Sequence, residues 1–172
     1  MIRVDIETII MADGPVPSVV ILRERGDRPD PTTPLRALSI RTGTVEAASI
    51  GRGIDRSASK RPITHDLMTE VISKLGAKLE RVEIDRVDAP IFYASLIMVD
   101  AEQEHGSSTR ELRIDARPSD ALALAVRSNT PIYVDDDVMN RAGNIVSGTD
   151  SNTDDEIGRF DDFVKNLSPD DF

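Results

Sequence analysis

The stretch that constrains this chain most is a change of periodicity between residues 112 and 127. Leu112, Ile114 and Ala116 alternate with charged residues, which is the period-2 pattern of a half-buried strand. After a proline, the run from 121 to 126 contains no polar residue and predicts a helix that is buried nearly all round. The sequence therefore predicts a strand-to-helix corner at residues 117–120, where charged and hydroxyl side chains gather in front of dry packing.

The rest of the chain alternates between short strand and helix patterns. Period-2 or wholly apolar segments predict strands at 2–10, 19–22, 35–40, 79–87, 91–99 and 131–134. Helical spacing and caps predict helices at 45–50, 64–75 and 135–142. Gly51 and Gly53 are expected to end the first of these helices, and Gly76 is expected to end the second in a left-handed conformation. Thr44, Thr64 and Ser119 are the expected N-caps.

The end of the chain differs in composition from the rest. Residues 150–172 carry eight acidic side chains against two basic ones. Within them, Ile157, Phe160, Phe163, Val164 and Leu167 recur at helical spacing, which predicts an amphipathic helix. We therefore divide the 172 residues into one domain over 1–142 and an acidic linker with a C-terminal helix over 143–172.

Composition excludes several classes of function. The absence of cysteine excludes disulfides, thiolate metal sites and a cysteine nucleophile, and it is typical of a reducing compartment. The first residues do not read as a signal peptide, and no apolar run approaches the length of a membrane span, so we expect a cytoplasmic protein with no membrane partner. A net charge of −10 argues against non-specific binding of nucleic acid over the whole surface, although residues 41–61 are locally basic.

Three segments in order carry a family resemblance. Arg61–Leu67 reads RPITHDL, Ile114–Ala125 reads IDARPSDALALA, and Pro131–Val134 reads PIYV. Together they resemble the bifunctional nuclease (BFN) domain family over about residues 2–142. One position departs from the family pattern, because Arg41-Thr42 stands where an Ile-Gly pair is expected before the first helix. The resemblance implies an α+β fold whose mixed, mostly antiparallel sheet is packed with short helices, a homodimer, and nuclease activity on DNA and RNA.

Phosphodiester hydrolysis needs an activated water, stabilisation of charge on the phosphorus oxygens, and protonation of the leaving oxygen. Carboxylates that hold Mg²⁺ or Mn²⁺ commonly supply the first two requirements. The candidates are His65, Asp66, Asp120 and Glu46 for catalysis, Arg61, Arg117 and Ser119 for substrate binding, and Asp115, Asp120 and Glu46 for a metal.

Each candidate also has a structural interpretation. Ser119 and Asp120 suit the first turn of a helix, Arg117 could pair with a neighbouring carboxylate to hold the corner, and His65 and Asp66 could simply begin a helix. No HExxH motif, Walker loop or nucleophile elbow is present. A second hypothesis therefore stays open, namely a non-catalytic, homo-oligomeric regulatory or assembly module.

Overall fold

The computed structural model describes residues 1–12, 15–26, 34–56, 60–100 and 111–145. In chain order its elements are β1 (Ile2–Ile10), β2 (Ser18–Glu24), β3 (Arg36–Thr42), α1 (Thr44–Ile54), α2 (Thr64–Lys74), β4 (Ala77–Asp88), β5 (Ile91–Asp100), β6 (Leu112–Ala116), α3 (Pro118–Ser128), β7 (Ile132–Val134), α4 (Asp136–Ala142) and β8 (Gly143–Ile145). In this described part of the chain, no helix is long and apolar enough to cross a membrane.

The described strands form one eight-stranded sheet in the order β6-β5-β4-β7-β1-β2-β3-β8. Strands β4 and β7 pair in parallel, and the other described pairs are antiparallel. The sheet is therefore mixed and mostly antiparallel, and the fold is α+β as the resemblance implies. Helix α3 packs on α1, α2, β4 and β5, so it lies at the centre of the helical layer.

The core is aliphatic and centres on α3. Five consecutive residues of this helix, Ala121 to Ala125, are buried, which confirms the helix expected from the apolar run. They pack with fully buried side chains from the sheet and from α1, among them Leu22, Leu38, Ile84 and Ile50. Because α3 is enclosed in this way, its first turn has a fixed position. That turn contains the corner residues 118–120 that the sequence predicted.

Two glycines that were expected to stop α1 lie inside it. The helix continues through Gly51 and Gly53 to Ile54. Gly53 is buried against α3, and a Cβ atom built there would lie 2.5 Å from Cγ2 of Val126. Its lack of a side chain therefore allows two helices to approach closely, and it does not end one. Gly76, by contrast, has a φ of +73° after α2 and confirms the expected left-handed residue.

The three predicted N-caps are each wrong by one or two residues. Helix α1 is capped at Gly43, α2 at Ile63 and α3 at Arg117, so the expected Thr and Ser residues already lie within their helices. In α3 the first helical position is Pro118, where a proline loses no hydrogen bond. In α2 the carboxylate of Asp66 accepts a hydrogen bond from the Ile63 backbone N–H at 3.0 Å, which meets the capping requirement from inside the helix.

Strand β6 and helix α2 are less buried than their sequence patterns indicate. Leu112 and Ile114 are 56% and 42% exposed, because β6 ends the described sheet and its apolar face borders an open cavity instead of the core. Helix α2 has the predicted extent and spacing but no fully buried residue. Its stripe of Met68, Val71 and Leu75 is open to solvent, and Leu75 is 79% exposed.

The predicted segment 143–172 begins with a strand, and its later part lies outside the described residues. Gly143–Ile145 forms β8 and pairs with β3, although its composition had placed it in the linker. A short segment of low hydrophobicity can complete a sheet edge when a neighbouring strand offers its backbone groups. The predicted C-terminal amphipathic helix lies outside the described residues.

Candidate active site

The corner opens into a cavity of about 860 Å³ that is bounded by α1, α2, the start of α3 and the strands β5 and β6. Its apolar walls include Val45, Met68, Leu96, Ile114 and Leu124. Its polar side carries Glu46, Ser49, Arg52, His65, Arg117 and Asp120. A concave, largely apolar space with a few convergent polar groups is typical of a small-molecule or substrate site.

The guanidinium of Arg117 joins two carboxylates from different parts of the chain. Its Nε donates to Asp120 Oδ2 at 2.8 Å and its Nη2 donates to Asp120 Oδ1 at 3.2 Å. Its Nη1 donates to Glu46 Oε1 at 3.3 Å, which links α3 to α1. The side chain of Arg117 is 65% exposed, so the pairing leaves the guanidinium accessible from the cavity.

His65 continues this chain of contacts towards the core. Its Nε2 lies 3.1 Å from Asp120 Oδ1, and its Nδ1 lies 2.8 Å from the hydroxyl of Ser49. Because a carboxylate can only accept, Nε2 carries a proton, and in the neutral ring Nδ1 then accepts from the Ser49 hydroxyl. Ser49, His65 and Asp120 thus have the donor and acceptor order of a hydroxyl, base and carboxylate triad, with the two ring nitrogens exchanged relative to the usual arrangement.

The electrostatics of the corner keep Asp120 ionised. Partial burial acts to raise the pKa of Asp120, but the hydrogen bonds from Arg117 and His65 outweigh it and hold this pKa below its ordinary value. The same interactions, chiefly the hydrogen bond to Asp120, raise the pKa of Arg117. The ionised carboxylate accepts from Nε2 of His65, so Nδ1 is the ring nitrogen that faces the Ser49 hydroxyl.

Comparison with known proteins assigns the chain to a family. A family model described as the bifunctional nuclease domain matches residues 20–147. The chain belongs to the bifunctional nuclease domain family. It is similar to two uncharacterized proteins from strains of Mycobacterium tuberculosis, Rv1829 and MT1877, with 35% identity over 90% of this chain and 87% of each relative. It is also similar to Bifunctional nuclease 2 of Oryza sativa subsp. japonica, with 28% identity over 73% of this chain and 35% of the rice protein.

The predicted catalytic residues of this family member divide into two groups. Glu46, His65 and Asp120 come together with Arg117 at the cavity, as the preceding contacts show. Asp66 does not line the cavity. Its carboxylate accepts from Arg127 Nε at 2.6 Å, and Arg127 is nearly buried between the helices. Asp66 therefore holds α2 against α3.

The predicted binding and metal residues also separate. Ser119 does not line the cavity and lies in a smaller pocket that Arg117 and Glu46 also line. Arg61 is exposed and does not line the cavity. Asp115 borders the cavity, but strand alternation places its side chain on the face of β6 that carries Arg113, away from Glu46 and Asp120. In the described ranges no group of three or more His, Cys, Asp or Glu side chains is placed to hold a metal ion.

Sequence reasoning missed two residues that organise this site. Ser49 holds the imidazole of His65, and Arg127 donates through Nη1 to the backbone oxygens of Ser49 at 3.0 Å and Ala123 at 2.8 Å. The sequence could have indicated Ser49, because it follows Glu46 by three residues and therefore lies on the same face of the helix. No comparable signal pointed to Arg127, because its partners come from three separate segments.

Proposed function

We propose that this protein is a nuclease that hydrolyses phosphodiester bonds of single-stranded DNA or RNA at the Arg117–Asp120 corner. The observation that carries the proposal is the convergence of His65, Asp120 and Arg117 on one side of a substrate-sized cavity, in a member of the bifunctional nuclease domain family. A proton acceptor and an anion-binding guanidinium beside each other supply two of the requirements of phosphodiester cleavage.

Arg117 is suited to bind the scissile phosphate. A guanidinium has five N–H donors, and Arg117 directs three of them at Asp120 and Glu46. The other two, one on each terminal nitrogen, remain for a non-bridging phosphate oxygen. The carboxylates hold the guanidinium in a fixed orientation, so that little side-chain freedom is lost when the phosphate binds.

His65 supplies the proton transfer in this proposal. Its Nε2 faces Asp120 and its Nδ1 faces the Ser49 hydroxyl, so protons exchanged with the cavity pass through that hydroxyl. The ring accepts the proton of the attacking water by this route, and the carboxylate of Asp120 stabilises the imidazolium that forms. The proton then returns to the leaving oxygen.

We retain dependence on Mg²⁺ or Mn²⁺ as part of the proposal, with a smaller ligand set than the sequence suggested. Glu46 and Asp120 would hold the ion, since both carboxylates already converge on one cationic group. Mg²⁺ is commonly bound by one or two carboxylates together with water and substrate phosphate. When bound, the ion would supply Lewis-acid stabilisation of charge on the phosphate oxygens. Asp115 has no place in this pair.

The test is cleavage of fluorescent single-stranded DNA and RNA by the purified protein with Mg²⁺, with Mn²⁺ and with EDTA. We expect cleavage with a divalent ion, and a loss of about a hundredfold or more in Asp120→Asn and in His65→Gln, since general acid–base catalysis contributes about 10²–10⁴-fold. Arg61→Met is the matched control for Arg117→Met, because Arg61 is also a cation near α2 but does not line the cavity.

The outcomes separate the parts of this proposal. Equal losses in Arg61→Met and Arg117→Met would contradict the assignment of phosphate binding to the corner. Cleavage that persists in EDTA would overturn the metal dependence and leave the roles of His65 and Arg117 standing. Absence of cleavage under every condition would favour the alternative, a non-catalytic regulatory or assembly module in which the corner only supports the fold.

We also propose that the protein is a cytoplasmic homodimer that associates through α2 and β6. Strand β6 ends the described sheet, and its exposed Leu112 and Ile114 are accompanied by the apolar stripe of α2. An exposed apolar edge strand is a site where another chain can pair, and a second copy offers the same surface about a two-fold axis. Met68 and Ile114 also line the cavity, so this association would cover its rim.

A further inference from the structure

The main cavity has a smaller neighbour that shares Arg117 with it. This side pocket has a volume of about 330 Å³ and lies between the start of α1, the start of β5 and the first turn of α3. Arg117 and Glu46 line both spaces. The ion pair between these two side chains therefore forms part of the wall of each pocket.

The side pocket combines an apolar wall with polar and charged groups. Its apolar wall includes Ile91, Phe92 and two prolines, Pro90 and Pro118, and its polar side carries Arg41 and Thr42 besides Glu46 and Arg117. Phe92 is partly buried and packs against the core, which fixes the ring in place, whereas Ile91 is 56% exposed at the mouth. Ser119 adds one hydroxyl at the edge nearest Arg117. An aromatic face beside a hydroxyl can stack a nucleobase and hydrogen-bond its sugar.

We propose that the side pocket is a second nucleoside subsite, so that the unit recognised by the protein is a dinucleotide with its bridging phosphate at Arg117. One nucleoside occupies the main cavity and the other stacks on Phe92 in the side pocket. The inference rests on the proposed function, because it takes the anion held by Arg117 to be a phosphodiester. It goes further by assigning the residues that bind the nucleoside on the second side of that phosphodiester, with Phe92 as the stacking surface.

The arrangement of charge supports a group with one central anion and two apolar ends. Each of the two spaces has an apolar wall, and the two spaces share the cation of Arg117. A nucleoside monophosphate can fill one pocket and reach Arg117, but it leaves the other pocket empty. A dinucleotide fills both, and each base stacked on an aromatic side chain contributes about 1–3 kcal/mol to binding. Two bases that occupy separate pockets are not stacked on each other, an arrangement that single strands adopt and duplexes do not.

The test compares equilibrium binding of two probes to the full chain by calorimetry, namely a phosphorothioate-linked thymidine dinucleotide and thymidine 5′-monophosphate. We expect the dinucleotide to bind about tenfold more tightly, the effect of one stacked base. The monophosphate carries more negative charge, so simple attraction to Arg117 would give the opposite order.

Two variants test whether the side pocket causes the difference in affinity between the dinucleotide and the monophosphate. Phe92→Leu removes the aromatic face while keeping an apolar side chain against the core, and Ile91→Asp places a charge at the mouth. We expect both to remove the preference for the dinucleotide while monophosphate affinity stays within about twofold. Ile145→Asp is the control, because Ile145 is an exposed isoleucine on a strand and lines neither pocket.

The results distinguish this inference from the proposed function. Equal affinity for the two probes, or a preference that survives both variants, overturns the second subsite even if the protein cleaves nucleic acid. A tenfold preference that the two variants abolish supports the subsite even if no cleavage is found, and in that case only the catalytic proposal fails.

Discussion

Replacing Gly53 by alanine tests the close helix contact on which the active-site geometry depends. A Cβ at this position would lie 2.5 Å from Cγ2 of Val126 and 2.7 Å from Nη1 of Arg127. Neither neighbour can yield easily, because valine has few rotamers and Arg127 is held by Asp66 and by two backbone oxygens. Helices α1 and α3 must therefore separate, or the arginine must give up part of its bonding.

The magnitude follows from two opposing terms. Inserting a methyl group into a packed contact costs about 2 kcal/mol, and replacing glycine by alanine inside a helix gains about 1 kcal/mol. Gly53→Ala should therefore lower the free energy of unfolding by about 1 kcal/mol. Gly51 lies in the same helix with nothing within 4 Å of an added Cβ, so Gly51→Ala should raise it by about 1 kcal/mol. The propensity gain cancels between the two variants, and the remaining difference of about 2 kcal/mol is the cost of the contact.

Thermal unfolding by circular dichroism measures this difference directly. For a chain of this size, 1 kcal/mol corresponds to about 2–4 °C in Tm, so Gly53→Ala should melt about 4–8 °C below Gly51→Ala. Equal melting temperatures in the two variants would refute the argument that α1 and α3 are in tight contact at Gly53.

Two further predictions concern acid stability and assembly. The hydrogen bond from Arg127 lowers the pKa of Asp66 in the folded protein. The ionised carboxylate therefore stabilises the fold above its unfolded pKa of about 3.9. This stabilisation is lost as the pH falls through the lower pKa of the folded state. Urea denaturation should therefore give Asp66→Asn a lower free energy of unfolding than wild type at pH 7, and this difference should shrink below about pH 4. A difference that does not change with pH would contradict the role of Asp66. Sedimentation should show a wild-type dimer that Leu75→Asp converts to monomer and Ile145→Asp does not, whereas a monomeric wild type would rule out the proposed interface.

The sequence by itself determined most of the secondary structure, since periodicity and turn residues act over a few positions. The alternation of β1, the buried helix α3, the extent of α2 and the left-handed Gly76 were all expected from neighbouring residues alone. The strand-to-helix corner was found for the same reason. Its charged side chains are adjacent in the chain, so their proximity requires no knowledge of the fold.

The tertiary structure decided which of those side chains act together. Arg117 meets Glu46 across 71 residues and His65 meets Asp120 across 55, and nothing local specifies either pair. It also directed Asp66 to the helix interface and gave Ser49 its place beside His65. These contacts depend on how far apart α1, α2 and α3 pack. That spacing is set by buried volume at positions such as Gly53, and local patterns do not report it.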